Sequence, residues 1–307
     1  MVTDKSEPER KAVIGSDDNF WLYSSNSGFD LTHPATPSGP EVHPQLRLGT
    51  TTETITIDPS KTALMIIDMQ NFFLSPAFGR QAGGAGHLAC DKLRQTEIPA
   101  ARKAGVQVIW LNWGLTDQDI REMPPSVKKT FGFEAYAQAG GKGELVTGGK
   151  NASIYKGIGN DCGIVKDPIT GDQISAGRLL MRDQWNTALY EPLAKLWQEG
   201  RVLADKPDAW IHKDRMSGLW GSSTLASVFF EKEDIRTLLF AGVNTDQCVN
   251  STLTDAFSKG YDCVMLSDGC GTTSPDHAKQ CVEYNTAKSW GFVTTCEEFA
   301  RGVHDMR

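Results

Sequence analysis

From residue 61 onward the chain alternates short apolar runs with longer amphipathic stretches. Thr62–Ile67 (TALMII) is apolar throughout, ends at Asp68, and reads as a strand buried on both faces. Leu88–Lys103 follows with a helical period, then Gly105 and a second apolar run, Val106–Leu111 (VQVIWL). Together they make a βαβ unit with a right-handed crossover. The rhythm returns at Trp185–Trp197, which reads as helix, and at Asp208–His212, which reads as strand. A short helix over Ser222–Phe230 leads to the strand Thr237–Ala241 (TLLFA). Next come a helix Cys248–Lys259, a strand Asp262–Leu266, a helix Asp276–Trp290 and a strand Phe292–Thr295. Strands alternating with helices in this way predict an α/β fold: a six-stranded parallel sheet covered on both faces, a three-layer αβα sandwich.

Two stretches break the rhythm. Residues 1–50 are polar and rich in Pro, Gly and Ser. They read either as a disordered tail or as a segment that docks through Phe20, Trp21, Leu22 and Tyr23 on the body or on a second subunit. Thr51–Ile57 alternates like an exposed strand or hairpin arm. Residues 114–183 hold many glycines and the pair Pro124-Pro125. A structureless loop of that length is improbable in a compact domain, so it must contain local structure or form a lid. The expected organisation is a polar extension (1–50) and one domain (51–307) with an insertion at about 114–183.

Composition narrows the partners. Of 307 residues, 39% are hydrophobic and 22% charged, as in ordinary globular proteins. A formal charge of −7 without any basic run argues against nucleic acid or acidic membrane as a partner. No apolar stretch approaches the roughly 18 residues of a membrane span, and the charged start lacks a secretory apolar core. Seven cysteines lie scattered without a C-x-x-C pair, so a reducing cytoplasm is the expected setting. Gly140–Lys150 (GGKGELVTGGK) lacks phosphate-loop spacing, because Glu144 and Asn151 stand where Gly and Ser or Thr are required. The histidines at 33, 43, 87, 212, 277 and 304 show no ligand spacing. No metal and no cofactor are expected.

In open parallel sheets, sites form beyond the carboxyl ends of the strands. Three reactive side chains fall there: Asp68 after the first strand, Lys213 after the third, and Cys248 just past the fourth. Singly, each has an ordinary explanation: a turn-forming Asp, a solvated Lys, a small core Cys. Jointly they place a base, a cation and a thiol on one rim. A free thiol ionises near pH 8.5, and a helix N-terminus with a nearby ammonium favours its anion. The Val243–Cys248 turn offers main-chain N–H groups to a developing oxyanion.

The segments ALMIIDMQNFF, HKDRMSGLWGSSTL and FAGVNTDQCVNSTLTDAFSKGYDCVMLSDG resemble, in order, three blocks of the isochorismatase-like hydrolases. The likeness runs from about residue 60 to 300, most of 114–183 excepted. It implies strand order 3-2-1-4-5-6 and a catalytic trio of Asp68, Lys213 and Cys248. It also implies a cis peptide at Val243–Asn244, with the backbone N–H groups of Asn244 and Cys248 as oxyanion donors. Gln70, Phe73, Asn112, Trp113, Trp220, Asn244 and Gln247, all adjacent to the rim positions, are the candidate pocket walls. Metal-binding nicotinamidases of this superfamily carry histidines after the second strand, whereas LNWGLTDQDIREMPP has none.

The retained Cys248 leans toward acyl chemistry on a small amide, ureide or carbamoyl compound. Two alternatives stand beside it: vinyl-ether hydrolysis of isochorismate with Asp68 as general acid, and a non-catalytic binding scaffold. By analogy alone, a homo-oligomer (dimer or tetramer) is expected.

Overall fold

The structure, a computed structural model, describes residues 8–16, 19–136, 143–146, 157–167 and 169–306. Most of Gly140–Lys150 therefore lies outside the described residues, as does Asn151. An N-terminal sheet is formed by β1 (Lys11–Ser16), β2 (Asn19–Ser24), β3 (Gly28–Leu31), β4 (Leu46–Gly49) and β5 (Thr54–Ile57). The body follows with β6 (Thr62–Ile67), α1 (Asn71–Leu74), α2 (Ala85–Lys92), α3 (Ile98–Ala104) and β7 (Gln107–Trp113). The inserted region holds α4 (Asp117–Glu122), α5 (Pro125–Thr130) and two antiparallel pairs. These are β8 (Phe133–Tyr136) with β9 (Gly143–Val146), and β10 (Ile164–Lys166) with β11 (Gln173–Ser175). The remainder is α6 (Leu193–Gly200), β12 (Ala209–Lys213), α7 (Leu225–Lys232), β13 (Thr237–Val243), α8 (Asn250–Ser258), β14 (Asp262–Gly271), α9 (Asp276–Asn285), β15 (Phe292–Thr294) and α10 (Cys296–Asp305).

The central sheet has six parallel strands in the order β12-β7-β6-β13-β14-β15. This is the predicted 3-2-1-4-5-6. Its middle strands, β6, β7 and β13, are buried at every position, as expected of strands covered on both faces. On one face Met65, Ile67, Leu111, Trp113 and Phe240 pack with Phe230 of α7 and Val249 and Leu253. Leu115, Phe131, Leu179 and Leu180 of the inserted region join that same core. On the other face Leu64, Ile66, Trp110, Leu239 and Ala241 meet Leu93 and Ile98, Leu193 of α6 and Phe299 of α10. Leu46, Leu48, Ile55 and Ile57 of the N-terminal sheet belong to this second core. At Gly242 (φ +118) an added Cβ would meet the Ile67 carbonyl oxygen at 2.1 Å, so β13 can pass β6 there only as glycine.

Several expectations need correction. Trp185–Trp197 is not one helix: a single 3₁₀ turn (Trp185–Thr187) precedes an irregular stretch, and α6 starts only at Leu193. The backbone between is already spent on the segment after β6, through Asn71 N–H to the Ala188 carbonyl and Tyr190 N–H to the Met69 carbonyl, both 2.9 Å. Thr51–Ile57 does hold a hairpin arm, β5 pairing antiparallel with β4, but it is not exposed: β3 pairs on its other side, and Ile55 and Ile57 are fully buried. The first predicted helix is α2 and α3 joined by a π turn (Leu93–Glu97). Another π turn, Thr245–Val249, carries Cys248 ahead of α8.

The described part of residues 1–50 docks on the body. β3 runs parallel to β5, so the sheet spans the boundary at residue 50. The Trp21 indole N–H donates to Asp262 Oδ1 at 2.7 Å, and His33 Nε2 lies 2.7 Å from Asp262 Oδ2. Phe29 and Trp21 pack against Phe292 with ring centroids 5.6 and 5.7 Å away.

Candidate active site

Asp68 is the first residue past β6, and its φ of +54 turns the chain sharply at the strand end. That left-handed conformation is one Asp tolerates better than most residues. Its backbone N–H donates to the Leu111 carbonyl (3.1 Å), and its Oδ1 accepts the Trp113 N–H (3.2 Å). Lys213 ends β12 in register with Trp113 at the end of β7. Its Nζ reaches Asp68 Oδ2 at 3.0 Å, donates to the Arg215 carbonyl at 3.1 Å, and sits 4.0 Å from the Trp113 ring centroid. Cys248 joins them from the π turn after β13, on the same face of the sheet. The Val243–Asn244 peptide just before that turn is cis, as the family likeness implies.

All three side chains are removed from water: Asp68 is 0%, Lys213 4% and Cys248 3% exposed. Burial raises the Asp68 carboxyl above its usual range, and Lys213, Cys248 and Trp113 pull it only partly back. Burial also pushes the Cys248 thiol up to about 12, against the pull of the Lys213 ammonium. The Lys213 ammonium favours the anion, as expected, but in the resting state burial weighs more. Desolvation outweighs attraction, because an anion loses more on leaving water than one neighbouring cation restores. The resting arrangement is a neutral thiol beside a carboxyl group that has a high proton affinity for its type. Such a group can take a proton from sulfur and return it to a leaving atom.

The candidate pocket residues divide. Trp113 lies within the trio, fully buried. Phe73 is half-buried and meets Phe72 edge-on at 4.9 Å. Gln247 and Asn244 are half-buried beside Cys248, and the Asn244 Oδ1 accepts the Thr273 N–H at 3.3 Å. Gln70 is fully buried and clamps the framework. Its Nε2 donates to the Trp113 and Thr187 carbonyls, both 2.8 Å, and its Oε1 accepts the Trp113 N–H at 3.1 Å. Asn112 alternates with Trp113 along β7 and so faces the opposite side of the sheet, with both its amide atoms buried and unpartnered. Trp220 is 53% exposed, donates its indole N–H to Asp214 Oδ1 (3.0 Å), and stacks under Arg215.

Sequence reasoning missed Met216. Its Sδ lies 3.5 Å from the Cys248 sulfur, so it covers the thiol from the loop after β12. It also missed the Arg215 carbonyl that steadies the ammonium. Both sit in an irregular loop, where no periodic pattern marks which residue turns inward.

The chain's likeness to known proteins agrees with this geometry. The isochorismatase domain profile matches residues 177–298. Ureidoacrylate amidohydrolase RutB of Rhizobium rhizogenes (strain K84 / ATCC BAA-868) is 32% identical over 257 residues, 82% of this chain and 87% of that protein. The protein of the same name from Caulobacter segnis is 30% identical over 274 residues, 88% of this chain and 95% of its own length. Among solved structures, a cysteine hydrolase from Pseudomonas syringae pv. phaseolicola 1448A superposes with a TM-score of 0.53 at 21% identity, covering 87% of this chain and 99% of that one. Nicotinamidase PncA from Bacillus subtilis gives 0.51 at 18% identity, covering 76% and 99%. At those identities the structural likeness concerns the fold. The sequence likeness reaches further, extending at 30% identity or more over most of both chains, and it makes this protein a member of the isochorismatase family of hydrolases.

Proposed function

We propose that the protein hydrolyses a C–N bond of a small amide, ureide or carbamoyl compound through an acyl-Cys248 intermediate, without a metal. Asp68 takes the thiol proton as the sulfur attacks the carbonyl carbon. The backbone N–H groups of Asn244 and Cys248 hold the oxyanion. Asp68 then gives its proton to the leaving nitrogen, the C–N bond breaks, and a thioester remains. Water attacks the thioester as Asp68 takes a proton from it, and the acid departs as the sulfur regains a proton. Lys213 keeps the carboxylate oriented and offsets the charge passed between Asp68 and sulfur. Trp113, Phe73 and Gln247 line the substrate space, and a homo-oligomer in the cytoplasm is the expected working form.

The observation that carries this reading is the convergence of Lys213 on Asp68 at 3.0 Å, beside a buried cysteine. The relatives named ureidoacrylate amidohydrolase favour a ureide among the substrate classes. The test is a panel of primary amides, N-carbamoyl compounds and ureidoacrylate, read for ammonia, with intact-mass detection of the acylated protein. Full turnover by Cys248→Ala on the best substrate would end the covalent mechanism.

Isochorismate cleavage is the second reading, favoured by the raised proton affinity of Asp68, which suits a general acid. It requires pyruvate rather than ammonia, and a Cys248→Ala variant that keeps most of its activity.

A further inference from the structure

We propose that Trp113 is a positioning group for the nucleophile, with its indole N–H set to receive the Cys248 sulfur as that atom becomes charged and its ring face holding the Lys213 ammonium. The inference rests on the reading of Cys248 as nucleophile. It gives Trp113 a task beyond lining the substrate space.

The placement begins with register. Trp113 and Lys213 are paired residues at the ends of neighbouring parallel strands, so indole and ammonium emerge side by side on one face. The ammonium lies 4.0 Å from the ring centroid, within cation–π range. The Trp113 backbone is fixed at both polar atoms. Its N–H is shared by Asp68 Oδ1 and Gln70 Oε1, and its carbonyl accepts from Gln70 Nε2. Phe131 meets the ring edge-on at 5.5 Å. Lys213, which pairs with the Asp68 carboxyl group, thus also lies against the indole ring.

Its N–H is then the anomaly. Trp113 is fully buried, and its Nε1 makes no well-formed hydrogen bond, although its side chain approaches the Cys248 sulfur as a donor. Buried indole N–H groups ordinarily find an acceptor, because leaving one unmade is costly. Such a donor is retained where charge appears later, as in an oxyanion site prepared before the reaction. The acceptor within its reach is the Cys248 sulfur. The charged groups facing that sulfur are Asp68 from the end of β6 and Lys213 from the end of β12. Lys213 is drawn to Asp68 and to the Arg215 carbonyl, so among the side chains facing the sulfur the indole N–H is the donor left.

The test needs no substrate. Alkylation of Cys248 by iodoacetamide is followed in the full-length protein by peptide mass spectrometry between pH 7 and 10. Below the thiol's midpoint, log rate rises linearly with pH, so any loss of thiolate stabilisation displaces the whole line. Trp113→Phe keeps an aromatic face and removes the N–H. It is expected to slow alkylation about tenfold at each pH, with kcat falling by at least as much and KM staying within twofold. Should Phe fail to fill the site and the protein unfold, 3-benzothienylalanine at position 113 preserves the ring shape and replaces N–H with sulfur. An unchanged alkylation line in a folded variant, with KM raised instead, would assign the indole to the substrate and overturn the proposal. Because alkylation is read without turnover, failure of the amide reading and failure of this one are seen separately.

Discussion

Asp68 and Glu97 are both fully buried carboxyl groups close to a cysteine, on opposite sides of one sheet. Asp68 stands at the carboxyl-end rim with Cys248 and has the Lys213 ammonium at 3.0 Å. Glu97 lies in the π turn between α2 and α3, beside Cys296, and no cation among the described residues pairs with it. Burial raises it well above the usual carboxyl range, the Cys296 thiol lowers it somewhat, and Asp268 raises it further. Lys92, five residues earlier, is engaged at the surface with Asp268 and Glu297. What separates the two is the ammonium. With it a buried carboxyl can cycle between its charged and neutral forms; without it burial shifts the group further toward its neutral form, as a polar core residue.

The sharpest way to break this comparison is to exchange the two regions' losses. Asp68→Asn and Cys248→Ser are each expected to lower kcat/KM on the best amide substrate by about three orders of magnitude or more. Glu97→Gln and Cys296→Ala should stay within about threefold of the parent. An equal collapse at Glu97 would remove the distinction. Next in size, Lys213→Met strands a buried carboxylate and is expected to cost about 3 kcal/mol in urea unfolding at pH 8. Without the ammonium Asp68 binds its proton more tightly, so part of that loss returns as the pH is lowered. Constant destabilisation from pH 8 to pH 5 would show that Lys213 does not act on Asp68.

A smaller effect concerns the acidic limb of the pH–rate profile. Only unprotonated Asp68 can take the thiol proton. Because its folded value is raised above 3.8, kcat/KM must begin to fall at a higher pH than an ordinary carboxylate dictates. A limb near 3.8 would exclude Asp68 as the base. The smallest effect belongs to Glu97. The unfolded chain releases this proton near 4.5, whereas the folded protein holds it to a higher pH. Stability from this group is therefore full below about 4.5 and declines as pH rises toward the folded value. Glu97→Gln should add about 1 kcal/mol at pH 8, roughly 2–4 °C in Tm. That gain should vanish near pH 4; an equal gain at both pH values would tie it to packing instead.

The central sheet was legible because β6, β7 and β13 are buried on both faces and are written as nearly unbroken apolar runs. The trio was legible for a related reason: Asp68 and Cys248 come after such runs, and Lys213 is the last residue of the partly buried β12. The N-terminal sheet was not. Its strands are short and partly polar, and their order depends on distant partners such as Asp262, which receives Trp21 and His33 from more than 200 residues away. The helix expected over Trp185–Trp197 failed because Asn71 and Tyr190 tie that backbone to the chain after β6, a competition no local period reveals. Met216 and the Gln70 clamp escaped notice because both act through irregular backbone.

The thioether of Met216 resting 3.5 Å from the Cys248 sulfur has a bearing on the protein's life in air. Peroxide attacks thiolates that solvent can reach, and burial both pushes the Cys248 thiol toward its neutral form and leaves only 3% of the residue exposed. Among the seven cysteines only Cys281 is exposed. A mild oxidant is therefore expected to add mass at Cys281 well before it reaches Cys248, leaving a stored preparation marked by oxygen with its activity unchanged.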